Sequence, residues 1–261
     1  MAFKIAVDAG HYRKTAGKRC LKKLDKNETR EWVLNDRIAR YFREAAKAYP
    51  GVELLRVDDE TGNKSVSLAK RCKAANSFKA DLYLSIHHNA GVKGGSGGGI
   101  VAYAYKEGSR GAVYRDAIYD ACIANGGLVG NRYDPLLTEN FQVLRDTDMP
   151  AVLMEYGFMD SSTDVPVILK ESYAKAMAYA TMEAIAQVAG LGLPQLGLPQ
   201  LQRGDKGEVV RAMQILLSGR GASCDPDGSF GPATLAALQQ FMPGRTVCDG
   251  VVWAALLGVT A

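Results

Sequence analysis

Five short runs of apolar residues predict buried β-strands. They are rich in Val, Ile, Leu and Tyr and are bounded by Gly, Asn, Asp or Pro, as is typical of strands that end in turns. The runs cover residues 3–8, 52–57, 81–87, 98–105 and 150–155. Between them, apolar residues recur every three or four positions, which is the spacing of a helix face. These helical segments cover residues 32–42, 68–75, 113–122 and 168–185. Because strand and helix alternate, we predict an α/β fold with a mostly parallel twisted sheet flanked by helices.

The pattern changes near residue 190. There GLPQL at 192–196 recurs at 197–201, with prolines that block helix formation and with no charged residue, which indicates an interdomain spacer. We therefore predict a catalytic domain over residues 1–189, a linker over 190–200 and a small domain over 201–261. Three short helical patterns separated by glycine-containing turns predict that the small domain is a compact all-helical unit.

Composition narrows the possible classes of protein. The 261 residues are 47% hydrophobic, which is enough for one full core and a smaller unit. The net charge is +4, but the basic residues are interrupted by acids, so we expect no nucleic-acid partner. No segment reaches the ~20 apolar residues of a membrane span, so we expect no membrane insertion. The N-terminus lacks the apolar run of a signal peptide, so we expect folding in a cytoplasm with reduced cysteines.

All three histidines lie just past strand-like segments. His11 ends FKIAVDAGH (3–11), and His87 and His88 lie in LYLSIHHNA (82–90). Ligands of open α/β sheets gather at the carboxyl ends of strands, so histidines from two strands can meet there. Zinc sites of hydrolases commonly combine His and carboxylate ligands. The residues alone leave four candidate acids: Asp8, Asp25, Glu28 and Glu31.

Five segments carry a resemblance to a known family. They are GHYRKTAGKRC (10–20), EWVLN (31–35), SLAKRCKAAN (67–76), SIHHNA (85–90) and PAVLMEYGF (150–158). In order and context they resemble zinc-dependent N-acetylmuramoyl-L-alanine amidases of the branch found in phage endolysins, over residues 3–188. The resemblance implies that Zn²⁺ is held by His11, Glu31 and His87. It also implies that Glu155 is the catalytic acid and base.

The resemblance further implies a peptidoglycan hydrolase that cleaves the amide between N-acetylmuramic acid and L-alanine. In that family, zinc polarises the amide carbonyl and lowers the pKa of its water. The glutamate takes the proton of that water and returns it to the departing nitrogen. The apolar PAVLM before Glu155 would raise the pKa of its carboxyl group. A strand-end carboxylate held by an ion pair is the ordinary alternative for this residue.

Strand geometry favours His87 over His88 as the ligand. On an extended strand, Ser85 and His87 share one face while Ile86 and His88 take the other, so the two histidines cannot both reach one metal without a bend. We expect His88 to pack or hydrogen-bond beside the site and so to help to orient it.

Three other polar residues are candidates at the site. Asn76 would orient the ligands and Asn89 would contact substrate, although asparagine often caps helices or turns loops. Arg145 resembles a pocket arginine of the family and would meet a substrate carboxylate, with a surface ion pair as the alternative. The glycine run GVKGGSGGG (91–99) predicts a mobile loop beside His87.

The small domain resembles the three-helix peptidoglycan-binding domain that is appended to many wall hydrolases. The resemblance rests on two Asp-Gly turns, on FGPAT at 230–234 and on Trp253. With the expected lack of a signal peptide, it favours a phage-type lysin that is made in the host bacterial cytoplasm and acts on the cell wall after release.

Two other functions stay open. A cysteine-dependent cell-wall hydrolase would use Cys20 or Cys72 with His87 as the base, although neither thiol has an evident partner in the sequence. A catalytically inactive wall-binding protein is the second, although the ligand set and Glu155 are all present.

Overall fold

A six-stranded sheet organises the larger part of the chain. Its strands are β1 (Phe3–Ala9), β2 (Val52–Arg56), β3 (Leu82–Asn89), β4 (Val101–Ala104), β5 (Leu136–Thr138) and β6 (Ala151–Phe158). They lie in the order β2-β1-β3-β6-β4-β5. Neighbouring strands are parallel except β4 and β6, which are antiparallel. The predicted α/β fold with a mostly parallel sheet is confirmed.

Helices cover both faces of this sheet. They are α1 (Glu31–Ala46), α2 (Leu68–Phe78), α3 (Arg110–Ala124), α4 (Gln142–Arg145), α5 (Val165–Ile168) and α6 (Glu171–Ala189). One group packs α1 and α3 against α6, and a second packs α2 against α4. In β3, the five consecutive residues 82–86 are all buried, as expected for a strand covered on both sides.

The computed structural model describes residues 2–191 and 198–258. The chain divides into two compact units, Met1–Lys47 with Gly51–Gly190, and Ala48–Pro50 with Leu191–Ala261. The predicted linker lies largely outside the described residues, so its role and the domain boundaries stay predictions.

The described part of the second unit contains three helices around a core of its own. They are α7 (Glu208–Gly219), α8 (Pro232–Phe241) and α9 (Gly250–Leu257). The unit also has a two-stranded antiparallel ladder of β7 (Leu201–Gln202) and β8 (Val247–Cys248), which the all-helical prediction lacked. Met213, Leu217 and Leu238 are fully buried. Among the described residues, the helices are all too short or too polar to traverse a lipid bilayer.

Candidate active site

Three predicted ligand residues meet at one edge of the sheet. His11 follows β1, Glu31 begins α1 and His87 lies near the end of β3. Because β1 and β3 are neighbouring parallel strands, their carboxyl ends lie side by side. One potential ligand atom from each residue lies within 4.8 Å of those of the other two. We call these three residues the His-Glu-His cluster.

The carboxylate of Glu31 is fully buried within the cluster. Its Oε1 lies 3.0 Å from Nδ1 of His87 and accepts the backbone N–H of His88 at 3.2 Å. Its Oε2 lies 3.3 Å from Nε2 of His11 and 3.6 Å from Nζ of Lys18, yet this oxygen makes no hydrogen bond. A buried carboxylate oxygen without a hydrogen-bond partner costs free energy. The cluster therefore contains an acceptor, Oε2 of Glu31, that a bound cation could satisfy.

Burial and mutual contacts set the protonation of the three residues of the cluster. Burial opposes ionisation of Glu31, but its hydrogen bond with His87 and the charges of His87, His11 and Lys18 lower its pKa to about 2. Burial lowers the pKa of His11 to about 4, so this imidazole is neutral at neutral pH. Burial would also lower the pKa of His87, but its hydrogen bond to Glu31 raises it above the usual value.

The donor set fits a zinc ion. Two imidazoles and one carboxylate are ligands that zinc takes in hydrolases, where a fourth position stays open for water or substrate. The unpartnered Oε2 of Glu31 is an acceptor that such an ion would satisfy.

The backbone between β1 and His11 is shaped by His87. A Cβ on Gly10 would lie 2.1–2.6 Å from ring atoms of His87, so only glycine leaves room for this imidazole. The next residue, His11, has a φ of 68°, in the left-handed region that non-glycine residues rarely adopt. The rings of His11 and His87 lie nearly perpendicular, with their centroids 5.0 Å apart.

Glu155 faces the same cleft from β6. Its Cα pairs with that of His87 across the β3–β6 ladder, so the two side chains project from the same face. Its Oε2 is buried without a hydrogen-bond partner. Burial raises the pKa of Glu155 to about 8, the charge of His87 opposes this effect, and the charge of Glu31 adds to it. A carboxyl group of this kind can hold or release a proton near neutral pH.

A cleft of about 530 Å³ lies at this edge of the sheet, and its volume is within the usual range of ligand sites. His11, His87 and Glu155 line it together with polar side chains and an apolar wall. The polar side chains include Tyr12, Thr15, Lys18 and Ser67, and the apolar wall includes Val66, Leu68, Phe141 and Leu153. The cleft therefore offers both hydrogen-bonding and apolar surface beside the His-Glu-His cluster.

Comparison with known proteins identifies the family. Residues 5–187 match the family described as N-acetylmuramoyl-L-alanine amidase. The chain belongs to this amidase family. The amidase CwlM of Bacillus licheniformis is 31% identical over 201 residues, which are 76% of this chain and 74% of CwlM. The sporulation-specific amidase of Bacillus subtilis is 32% identical over 190 residues, 72% of this chain and 69% of that protein.

A solved amidase structure shares the fold. The catalytic domain of CwlV from Bacillus (Paenibacillus) polymyxa var. colistinus superposes with a TM-score of 0.64 at 22% identity, over 73% of this chain and 99% of that domain. The shared part of this amidase-family chain is similar in length to its first unit, Met1–Lys47 with Gly51–Gly190.

His88 lies on the opposite face of β3 from the amidase cleft. It is buried, and its Nδ1 lies 2.8 Å from Oδ1 of Asn35 on α1. Because Nδ2 of Asn35 donates to the carbonyl of Gly10 at 3.1 Å, its Oδ1 must accept from a protonated Nδ1 of His88. His88 therefore connects β3 to α1 and, through Asn35, to the turn that carries His11.

The structure does not bring Asn76 or Arg145 to the His-Glu-His cluster. Nδ2 of Asn76 donates to the carbonyl of Asp146 at 3.2 Å, and its Oδ1 accepts the N–H of Asp148 at 3.1 Å, so Asn76 holds this turn. Arg145 is exposed, pairs with Asp146 at 2.8 Å and bonds Asn140 at 3.0 Å. It lines a separate cavity of about 250 Å³. Both side chains bond within the 140–148 segment, and the roles expected of them in ligand orientation and substrate binding stay predictions.

Asn89 ends β3 and begins the glycine-rich segment. Its Oδ1 accepts the N–H of Ala90 at 2.8 Å, which is a local turn contact. The carboxylate of Asp160 accepts the N–H groups of Gly91 and Lys93 at 2.8 and 2.7 Å. The segment predicted to be a mobile loop is thus fastened to the end of β6. The substrate contact expected of Asn89 stays a prediction.

Asp8, one of the four candidate acids, belongs to a buried polar group beneath the cluster whose contacts the sequence did not predict. Asp8, at the end of β1, is 1% exposed, accepts from the guanidinium of Arg71 and accepts Oγ–H of Ser85 at 3.0 Å. The signal was an acid in a mostly apolar strand and an arginine on a helix that packs on the sheet. No spacing links them, because they are 63 residues apart.

The cysteine alternative lacks a nucleophile. Burial raises the pKa of Cys20 to about 12 and raises that of Cys72 above its usual value. Thiols that resist ionisation are poor nucleophiles at neutral pH. All five cysteines are free, and Cys20 and Cys72 are buried, as structural thiols are.

Proposed function

We propose that the protein is a zinc-dependent peptidoglycan hydrolase that cleaves the amide between N-acetylmuramic acid and L-alanine of the stem peptide. The observation that carries the proposal is the His-Glu-His cluster, whose ligand atoms lie within 4.8 Å of one another and whose two histidines line the cleft that also contains Glu155. Membership of the amidase family and two relatives named as amidases support the choice of bond.

His11, Glu31 and His87 would hold the metal. A zinc ion supplies Lewis acidity, which polarises an amide carbonyl and lowers the pKa of water. The chain contributes a neutral imidazole at His11, a carboxylate at Glu31 and a hydrogen-bonded imidazole at His87. The left-handed turn at His11 and the glycine before it place the two imidazoles side by side.

Glu155 would move the proton. In its ionised form it accepts a proton from the attacking water, whose oxygen bonds to the carbonyl carbon of the lactyl amide. As the carbon–nitrogen bond breaks, Glu155 returns that proton to the alanine nitrogen, which leaves as an amine. Burial, which raises the pKa of Glu155 to about 8, makes both transfers feasible near neutral pH.

The second unit would bind the substrate polymer. Its three helices and buried Trp253 are what the sequence resemblance to peptidoglycan-binding domains requires. Its lysines and arginines equal its acids over residues 201–257, five of each, so binding would rest on shape and hydrogen bonds.

The biological setting we propose is that of a phage endolysin. The protein would be made in the host bacterial cytoplasm and reach the wall after release. The TAGKR stretch at 15–19 supports this branch of the family by resemblance, and five free thiols agree with folding in a reducing compartment. When the protein is expressed in a host bacterium, we expect the cells to lyse only if a membrane-permeabilising protein is co-expressed. Lysis without that second protein would contradict this setting.

Purified cell walls test the enzymatic proposal. Wild type, Glu155→Gln and the exposed control Glu53→Gln are compared for zinc content, for turbidity loss and for the chemistry of the released ends. We expect new alanine amino ends and one zinc per chain in the wild type and in the control. We expect the same zinc content in Glu155→Gln with a rate lower by about 100-fold or more.

Two outcomes would redirect the interpretation. New reducing sugar ends or activity that survives a chelator would exclude the zinc amidase. Bound zinc with no turnover by the wild type would favour the inactive wall-binding protein.

A further inference from the structure

His11 adopts a backbone conformation that it would not choose by itself. Its φ of 68° lies in the left-handed region, where a Cβ crowds the backbone. Such conformations persist where surrounding contacts over-determine them. The contacts around residues 9–11 therefore decide whether the imidazole of His11 can reach the other two members of the His-Glu-His cluster.

One guanidinium bonds two of the three carbonyls of this segment, those of Ala9 and His11. Nη2 of Arg71 donates to the carbonyl of His11 at 2.9 Å, and Nη1 donates to the carbonyl of Ala9 at 3.1 Å and to the carboxylate of Asp8. Nε donates to the carbonyl of Val66 at 3.0 Å. Arg71 is 3% exposed, so these bonds are made away from water and replace hydration that the charge has lost.

The anchor of this guanidinium is itself fixed. Oδ2 of Asp8 accepts Oγ–H of Ser85 on β3, and the residue lies in the sheet at the end of β1. Arg71 lies in the first turn of α2, whose N-cap Ser67 accepts the N–H of Lys70 at 3.4 Å. The guanidinium therefore joins a rigid strand and a capped helix to the turn that carries His11.

We propose that Arg71 is a positioning residue for the metal site: it holds the turn at His11 so that the imidazole meets Glu31 and His87. This role rests on the proposed zinc site and assigns no contact with the reacting atoms. It is specific to arginine, because a planar fork donates in several fixed directions at once. A lysine ammonium is a point donor on a flexible stem and cannot reproduce the fork.

A direct role in substrate binding is the competing interpretation, since Arg71 also lines the cleft. Four of its five N–H donors are already directed at protein acceptors, and the side chain is 4% exposed. Substrate binding would appear as a higher KM at unchanged zinc affinity, whereas positioning of His11 predicts weaker zinc binding even without substrate.

The test measures zinc affinity in the full chain without substrate. The zinc dissociation constant of Arg71→Lys is determined by competition with a chromophoric chelator, and the cobalt-substituted protein is compared by visible absorption. The matched control is Arg115→Lys. Arg115 is equally buried and multiply bonded, to Glu107, Asp116 and the carbonyl of Leu137, and lies outside the cleft lining.

We expect Arg71→Lys to raise the zinc dissociation constant by about 10–100-fold and to alter the cobalt spectrum. The zinc dissociation constant of Arg115→Lys should stay within about twofold of the wild-type value, even if its melting temperature falls by as much as that of Arg71→Lys. Asp8→Asn keeps the size of the side chain that accepts from Arg71 but removes its charge, and should raise the zinc dissociation constant by a smaller factor. This variant replaces Arg71→Lys in the test if Arg71→Lys does not fold.

The outcomes separate this proposal from the previous one. Tight zinc binding by the wild type with unchanged binding by Arg71→Lys and Asp8→Asn overturns the positioning role alone. A similar loss in Arg115→Lys also overturns it, because the effect would then follow from stability. A wild type that binds no zinc overturns both the metal site and the role of Arg71.

Discussion

His87 and His88 are neighbours in the chain whose imidazoles have different partners. His87 faces the cleft and approaches Glu31, whereas His88 is buried against Asn35 and Tyr156. Burial lowers the pKa of His88 to about 3, so its ring stays neutral and serves as a hydrogen-bond donor. The two-residue period of a strand thus separates a proposed ligand from a structural residue.

Alanine substitutions at these two positions should separate metal binding from stability. His87→Ala should bind less than 0.1 zinc per chain, about a tenfold loss or more, because one of three ligands is gone. His88→Ala should keep one zinc per chain but lose about 1–3 kcal/mol of stability, because Asn35 loses a buried partner. Zinc content by atomic emission and urea unfolding check both results. Full zinc content in His87→Ala would move the ligand role elsewhere.

Glu155 gives the metal-free protein a distinctive pH dependence. The folded state holds the proton up to about pH 8, whereas the unfolded chain releases it near the usual pKa of 4.5. The stability contributed by this proton is therefore complete below pH 4.5 and is lost as the pH rises through about 8. Relative to Glu155→Gln, which does not titrate, the wild type should lose up to about 1.4 kcal/mol per pH unit in this window.

Urea unfolding of both proteins in chelator, at pH 5, 7 and 9, measures this difference. Added zinc should flatten the wild-type curve, since a nearby cation favours the ionised carboxyl group. Parallel curves for the two metal-free proteins would show that Glu155 has an ordinary pKa and would weaken its assignment as acid and base.

At the scale of elements, length and periodicity decided what the sequence could predict. The five longer strands and the main helices show apolar runs or a three-to-four spacing, and they form. β5 has three residues and α4 has four, too few for a period to appear. The segment predicted as one helix over 168–185 is divided, because Lys170 is extended between α5 and α6.

Pairing could not be predicted from these patterns. The run Val101–Ala104 is apolar in either direction, and it pairs antiparallel with β6 at the end of the path taken by the preceding glycine-rich segment. That path depends on Asp160 and Asp164, whose carboxylates accept N–H groups of residues about 65 positions earlier. Such bonds leave no periodic signal in the sequence.

The proposed ligands and Glu155 were easier to predict from the sequence than the residues that hold them in place. Strand ends pointed to the histidines, but the residues alone left four acids open, and the family resemblance selected Glu31 and Glu155. The supporting roles of Arg71, Asp8 and Asn35 were not predicted, because each acts through a backbone carbonyl or a partner far along the chain; Asp8 was considered only as a possible ligand. Their importance appears only when the turn at His11 is seen with its left-handed φ.

At the scale of the whole molecule, the two units have separate cores. Met213, Phe230, Leu238 and Trp253 belong to the core of the second unit, and Nε1 of Trp253 donates to the carbonyl of Pro199 at 2.9 Å. A domain of about 60 residues buries a smaller share of its surface than a large one and is only marginally stable. The loss of a single large core side chain should therefore unfold it.

Trp253→Ala in the full chain should separate wall binding from bond cleavage. The substitution removes a 2% exposed indole, which costs about 3–5 kcal/mol in a core and is comparable to the whole stability expected of a domain of this size. We expect the variant to cleave a soluble muropeptide at the wild-type rate within about threefold, because the cleft lies in the other unit. It should no longer sediment with insoluble walls, and a fragment ending at Gly190 should behave in the same way. Residues 191–261 alone should sediment with walls. If the variant and the fragment ending at Gly190 sediment as the full chain does, the first unit supplies the wall affinity and the second unit has another role.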